Sequence, residues 1–260
     1  MGVRTDVRRA VCYPEPRVRP AVRTARNLLD FNLPTGPTVW DAISDLPEVE
    51  QFADLVKQDA KRVRLGRPSE YAARLQSTRV DPDDFSYPRT STGVLTGMKR
   101  ASHTDLSRKR FAETPNGETE PISRFKKLDP NGVCNTLRAG TARNHGAFTS
   151  PRPIHPFAAR CITVREAARL HSFPDWFAFH ATIWHGFRQI GNAVPPLLAR
   201  AVAAEVVKTL GMTVKKPEQS VGQAATWLRI TSMSRAAEHF GADASVIPRC
   251  VRRLIEPVHA

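Results

Sequence analysis

Few side chains here are suited to chemistry, and their spacing narrows what that chemistry is. Four cysteines, Cys12, Cys134, Cys161 and Cys250, lie far apart with no C-x-x-C pair. A structural zinc site takes closely paired thiolates, so no metal is expected, and no disulfide framework either. His180 and His185 are five apart, which does not put them on one helix face; they read as structural rather than as metal ligands. The denser signal is basic. The stretch CNTLRAGTARNHGAFTSPRPIHP carries Arg138, Arg143, Asn144 and His145 in a loop punctuated by Gly140 and Gly146. Small residues beside arginines allow close approach to phosphates or base edges, and the arginine fork matches O6 and N7 of guanine. An ordinary surface loop has the same composition, so the spacing alone leaves both readings open. Arg124, Lys126 and Lys127, just upstream in RFKKLD, add basic support, and lysines and arginines elsewhere would hold phosphates and make affinity salt-sensitive.

The whole chain points the same way. A formal net charge of +14 and a pI near 10.4 over 260 residues favour an anionic partner, nucleic acid first. The opening MGVRTDVRRAV has no apolar core of a signal peptide, and no continuous run of about 18 apolar residues is seen. A cytoplasmic protein with no membrane partner is the expectation.

Stepping along the elements, TVWDAISDLPEVEQF predicts a short helix with Val39, Trp40, Ile43 and Leu46 on one face. Residues 57–127 are polar and basic and read as irregular or partly unstructured. In ITVREAARLHSFPDWFAFH, Thr163 and Glu166 form a capping box, and Val164, Ala167, Ala168 and His171 share a helix face that ends at Phe173-Pro174. Phe173, Trp176, Phe177 and Phe179 read as packing residues. GNAVPPLLARAVAAEVVKTL predicts a tight Gly-Asn turn entering a helix, with Pro195 and Pro196 at its start and an apolar stripe through Leu198, Ala201, Val202 and Val206. After the linker KKPEQSVGQ, the segment MSRAAEHFGADASVIPRCVRRLIEP suggests a helix-turn-helix. It has Gly241 at the turn and Arg249, Arg252 and Arg253 facing outward toward DNA.

Two blocks carry a family resemblance. TVREAARLHSFPDWFAF and RQIGNAVPPLLARAV resemble, in order and spacing, the ninth and tenth conserved motifs of the cytosine-5 DNA methyltransferases. Between PTVWDAISDLP and those blocks, LDPNGVCNTLRAGTARNHGAFTSPRPIHP is similar to the late part of that family's target-recognition region, including its Thr-Leu pair, here Thr136 and Leu137. The resemblance covers roughly residues 1–210. It implies transfer of a methyl group from S-adenosylmethionine to C5 of a cytosine flipped out of duplex DNA. It also implies that Asn192, Ala193 and Val194 lie beside the methionine part of the cofactor. DNA would be met by Thr136, Leu137, Arg138, Arg143 and Asn144. Arg165, Glu166, Gln189, Gly191, Pro195 and Pro196 are implied to be structural.

The departures matter equally. The family's nucleophile is a cysteine directly after a proline; here the residues before the four cysteines are Val11, Val133, Arg160 and Arg249. The Glu-Asn-Val and Gln-x-Arg-x-Arg segments and the Gly-rich cofactor loop are not in the sequence either. No catalytic residue is therefore assigned, and the cofactor would bind only when a catalytic partner polypeptide completes the site. Three readings stay open: an enzyme split over two chains, a broken gene leaving an inert remnant, or a start placed too late in a longer frame. A competing class is a non-enzymatic DNA-binding module, because RAAEHFGADASVIPRCVRRLIE resembles the winged-helix start of LysR-type regulators. The expected fold is α+β. It comprises an extended basic segment (1–36), an irregular recognition region (37–160) and the C-terminal piece of an S-adenosylmethionine-dependent methyltransferase α/β domain (161–212). A linker (213–230) and a helix-turn-helix-like tail (231–260) follow.

Overall fold

The computed structural model describes residues 9–22, 32–77, 84–85, 93–140, 152–219, 226–243 and 245. Most of its elements are short helices, and most helix starts are explained by one side chain. In α1 (Val39–Ile43), Thr38 accepts from Asp41 N while Asp41 reaches back to Thr38 N. The free N–H groups of Val39 and Trp40 donate to the carbonyls of Gly132 and Pro130, so a turn far along the chain finishes the cap. In α2 (Glu70–Leu75), the Ser69 hydroxyl accepts from Ala72 N and donates to Asp41 O, tying α2 to α1. Thr104 caps α3 (Asp105–Glu113). The only sheet among the described residues is an antiparallel pair, β1 (Lys61–Arg62) on β2 (Val94–Leu95). The fold is thus mixed, but helix dominates, and the polar stretch 57–127 contains more regular structure than its composition suggests.

Three helices follow within residues 161–212. The predicted capping box of Thr163 and Glu166 is present at the start of α4 (Val164–Leu170). The sequence reading missed α5 (Ile183–Asn192) entirely. Gly191 and Asn192, expected in a tight turn, are its last residues. The chain then runs extended through Ala193 and Pro195 into α6 (Pro196–Leu210), where Pro196 takes the first helical position as expected. Gly211, at φ 65, ends α6 in the left-handed conformation that favours glycine. Ser172 Oγ accepts from Leu197 N, so the turn after α4 holds the start of α6.

The main core joins α1, α4 and α5: Val39, Ala42 and Ile43 meet Val164, Ala167 and Ala168, with Phe187 and Ile190 beyond. Phe173 and Phe179 complete it at centroid distances near 4.9 Å, which places those aromatics in packing as expected. Trp40 differs from its predicted place: it is partly exposed and sits edge-on to Phe157 at 4.7 Å. A smaller core of Val49, Leu55, Leu95 and Met98 lies under the β-ribbon.

Met1–Gln223 forms one compact unit and Ala224–Ala260 another. The first unit takes in the expected segments 1–36, 37–160 and 161–212 together, because α1 and α4 share a core. In the second, Ser232 caps α7 (Met233–His239), whose side chains are not buried, and Gly241 turns at φ 63. The expected second tail helix, with Arg249, Arg252 and Arg253, lies outside the described residues.

Residues Ile183–Leu210, taken as one stretch, are long and apolar enough by length and composition to cross a membrane, at mean hydropathy 1.3. The sequence reading, which sought a continuous apolar run, did not anticipate this. Pro195 and Pro196 break the stretch, and its first half buries Phe187 and Ile190 in the core. Its second half is an uncovered surface: Leu198 is 53% and Val206 37% exposed.

Candidate nucleic-acid interface

The frame of the site is a set of buried arginines. α4 is buried on every side, although it carries Arg165, Glu166 and Arg169. A buried guanidinium is tolerable only if its five N–H groups and its charge are met. Arg169 donates from Nε and Nη2 to Asp175 at 2.5 and 2.6 Å, to Asp45 from both terminal nitrogens at 3.1 and 3.0 Å, and to Ala42 O at 3.2 Å. That accounts for all five donors. Arg160 is equally complete, with two bonds to Glu48, two to Glu166 and one to its neighbour Cys161 O. Arg165 donates to Thr96 O, Thr96 Oγ1, Pro174 O and Phe177 O. These forks bridge segments more than 60 residues apart, locking α1, β2 and the segment after α4 into one body. Arg165 and Glu166 were expected to be structural from the resemblance; Arg160, Arg169, Asp45 and Asp175 were not singled out.

Burial alone would raise the Glu166 carboxyl, but the Arg160 charge and hydrogen bonds from Arg160 and Thr163 N outweigh it and hold the pKa down at about 2. His155 is pulled down by burial, with Glu166 opposing. Its Nδ1 accepts from Phe157 N and Ala158 N, which fixes a neutral ring with the proton on Nε2, 3.8 Å from Glu166. A carboxyl depressed from 4.5 to about 2 contributes stability that is complete above pH 4.5 and is lost as pH falls toward 2. The loss expected from Glu166 is about 3 kcal/mol. Urea denaturation between pH 6 and 2.5 should show it, and Glu166→Gln, less stable at neutral pH, should show a flatter acid limb.

On this frame, the predicted DNA residues separate. Thr136 and Arg138 are exposed, whereas Leu137 between them is buried in the main core with Ile190. Leu137 is therefore an anchor, set there by its apolar side chain, and does not stand on the surface with its neighbours. Arg124 is exposed, at φ 59, and Lys126 is half-buried. Lys127 departs from expectation. It is buried, and its Nζ donates to Phe111 O and Ala112 O at the end of α3, where a cation meets unpaired helix carbonyls. Burial lowers its pKa. It is a helix-end cap rather than a phosphate contact. Arg143 and Asn144 lie outside the described residues.

The residues expected beside a cofactor lie at the end of α5 and just after it. Gln189 Oε1 accepts from His180 N, fixing the entry to α5. Asn192 and Val194 are exposed and Ala193 packs on the main core, so an amide and an apolar side chain are presented outward. That suits one wall of a site for an amino-acid-like group; no fuller cradle is formed by the described residues. The rings of His180 and His185 lie 4.5 Å apart around Thr182 Oγ1, and no cluster of three or more metal-binding side chains occurs among the described residues. Burial pushes the Cys134 and Cys161 thiols up to about 12, which makes them poor nucleophiles.

Residues 27–208 match the family model of the C-5 cytosine-specific DNA methylase. The chain belongs to that family. The chain is 51% identical over 249 residues to the Type II methyltransferase M.XorII of Xanthomonas oryzae pv. oryzae, a match that covers 94% of this chain and 59% of the relative. It is 31% identical over 215 residues to the Type II methyltransferase M.AgeI of Thalassovita gelatinovora, covering 65% of this chain and 50% of that one. A crystal structure described as a prophage-encoded DNA modification methyltransferase (E. coli) superposes with a TM-score of 0.51 at 32% identity, over 69% of this chain and 49% of the other. The chain thus spans about half to three-fifths of the length of these relatives.

Proposed function

We propose that this chain is the target-recognition and cofactor-closing portion of a DNA (cytosine-5-)-methyltransferase of the restriction-modification kind, acting on duplex DNA in the cytoplasm. Its recognition loop would meet the duplex through Thr136 and Arg138, with Arg124 and Lys126 adding charge nearby. Asn192, Ala193 and Val194 would form one wall for the methionine part of S-adenosylmethionine, which supplies the methyl group when bound. The cysteine nucleophile and the Gly-rich cofactor loop are not among these 260 residues. Methyl transfer then depends on residues outside them, which a partner polypeptide would supply. The uncovered stripe of α6 would pack against that catalytic part.

The observation that carries this reading is the loop itself. Leu137 is pinned in the core beside Ile190 while Thr136 and Arg138 on either side are exposed. Leu137 thus anchors this segment between an exposed hydroxyl and an exposed guanidinium that a ligand can meet. The test is binding of a fluorescent duplex across a salt series. Arg138→Ala should weaken binding by about tenfold, the equivalent of about 1.4 kcal/mol, and lower the slope of log Kd against log salt by about one. An unchanged slope would remove Arg138 from the interface.

A further inference from the structure

At Gly191 the end of α5 lies directly against the backbone of the segment that bears Arg138. A methyl group placed on Gly191 would stand 2.8 Å from Ala139 Cα, and closer still to Ala139 N and the Arg138 carbonyl carbon. Those atoms are main chain and cannot swing aside. Gly191 has no need of glycine for its own conformation, since it lies inside a regular helix and its φ is not positive. The contact with the loop is therefore the reason a side chain cannot be accommodated there. On one side of it, Leu137 and Ile190 share the buried core; on the other, Ala193 packs onto the same cluster. The loop bearing Arg138 and the segment Asn192–Val194 thus meet at a joint with no slack.

We infer that Gly191 is a positioning residue, through which the end of α5 sets the place of Arg138 on the DNA side and links it to the cofactor-side segment. This rests on the proposed role of Arg138 in DNA binding. Pushing the joint apart would carry Arg138 away from its contact and loosen the Arg138–Ala139 backbone, without altering any group that itself meets DNA.

The test is a double-substitution cycle in the full chain, with a fluorescent duplex as probe. Gly191→Ala should weaken binding about tenfold and lower the salt slope by about one. Arg138→Ala should do the same, and the double variant should be no weaker than either alone. Amide exchange at Arg138 and Ala139 should quicken in Gly191→Ala. Additive losses, or wild-type exchange and affinity in Gly191→Ala, would overturn the inference. Should Arg138→Ala leave DNA binding untouched, the proposed interface fails instead, and amide exchange alone then decides the joint. Should Gly191→Ala fail to fold, Ile190→Val loosens the same joint from the core side. It should give a smaller change of the same direction in exchange, and unaltered exchange would again overturn it.

Discussion

Arg169→Ala should be the most damaging single substitution in the first unit, costing about 3–5 kcal/mol of folding stability. Arg169 and Asp45 are both fully buried, and Asp175 is nearly so. Desolvating these charges is expensive, and their attraction offsets the cost only while the five-donor fork is intact. Removing the guanidinium leaves two carboxylates facing each other across a void, with Ala42 O unbonded. Gln76 Nε2, which donates to Asp45 at 2.5 Å, cannot neutralise that charge. Arg169→Lys should recover little, because a single ammonium cannot reach four carboxylate oxygens and a carbonyl at once. Adding Asp45→Asn to Arg169→Ala should return part of the loss by removing one uncompensated charge. Urea denaturation of the four proteins measures this; equal stability of Arg169→Ala and wild type would show that the network is dispensable.

A second substitution should separate folding from assembly. Leu198→Asp combined with Val206→Asp should leave the melting temperature of this chain within about 2 °C of wild type, since neither side chain is buried in the core. The same change should abolish methylation reconstituted with a catalytic part. Leu198, Val202 and Val206 recur at four-residue spacing, which lines them along one side of α6. An apolar stripe of this kind, uncovered, marks a surface that another part of a protein covers. Two carboxylates there would be buried without partners on assembly, at a cost of several kcal/mol. Melting curves and a methyl-transfer assay read the two effects separately. Normal methylation by the double variant would place the catalytic part elsewhere.

What could be read from the sequence was local. The Thr163–Glu166 box, the proline start of α6 and the apolar face of α4 depend on neighbours within one or two turns. The Phe173–Phe179 cluster was legible because aromatics beside a helix end have few alternatives to packing. α5 was not legible, because HGFRQIGN contains two glycines and no capping side chain bond: Thr182 Oγ1 is engaged with His180 and His185 instead. The helix is held by tertiary contact. Gly186 lets α4 approach so closely that a methyl group there would lie 2.8 Å from Val164. A residue that reads as a turn signal in sequence serves as a close-crossing point in space.

The polar core was hidden for a related reason. On sequence, Arg165, Glu166 and Arg169 look like the solvated face of an amphipathic helix. Arg165 and Arg169 are met by Thr96 and Asp45, which are 69 or more residues away, and Arg160, which pairs with Glu166, is itself held by the distant Glu48. Lys127 and Leu137 misled in the same way. Lysine beside arginine reads as a basic patch, yet the partner of Lys127 is a helix end. Leu137 reads as half of a DNA-contact pair, yet its apolar side chain belongs to the core. The family resemblance supplied the roles of the motif blocks; residue spacing alone did not.

The central claim is that these residues recognise DNA and complete a methyltransferase site without holding its nucleophile. The most direct test mixes this chain with the portion of the Xanthomonas oryzae relative that it does not match, and follows methyl transfer from S-adenosylmethionine into duplex DNA. The account predicts no transfer by either protein alone and transfer by the two together. Transfer by this chain alone would contradict it.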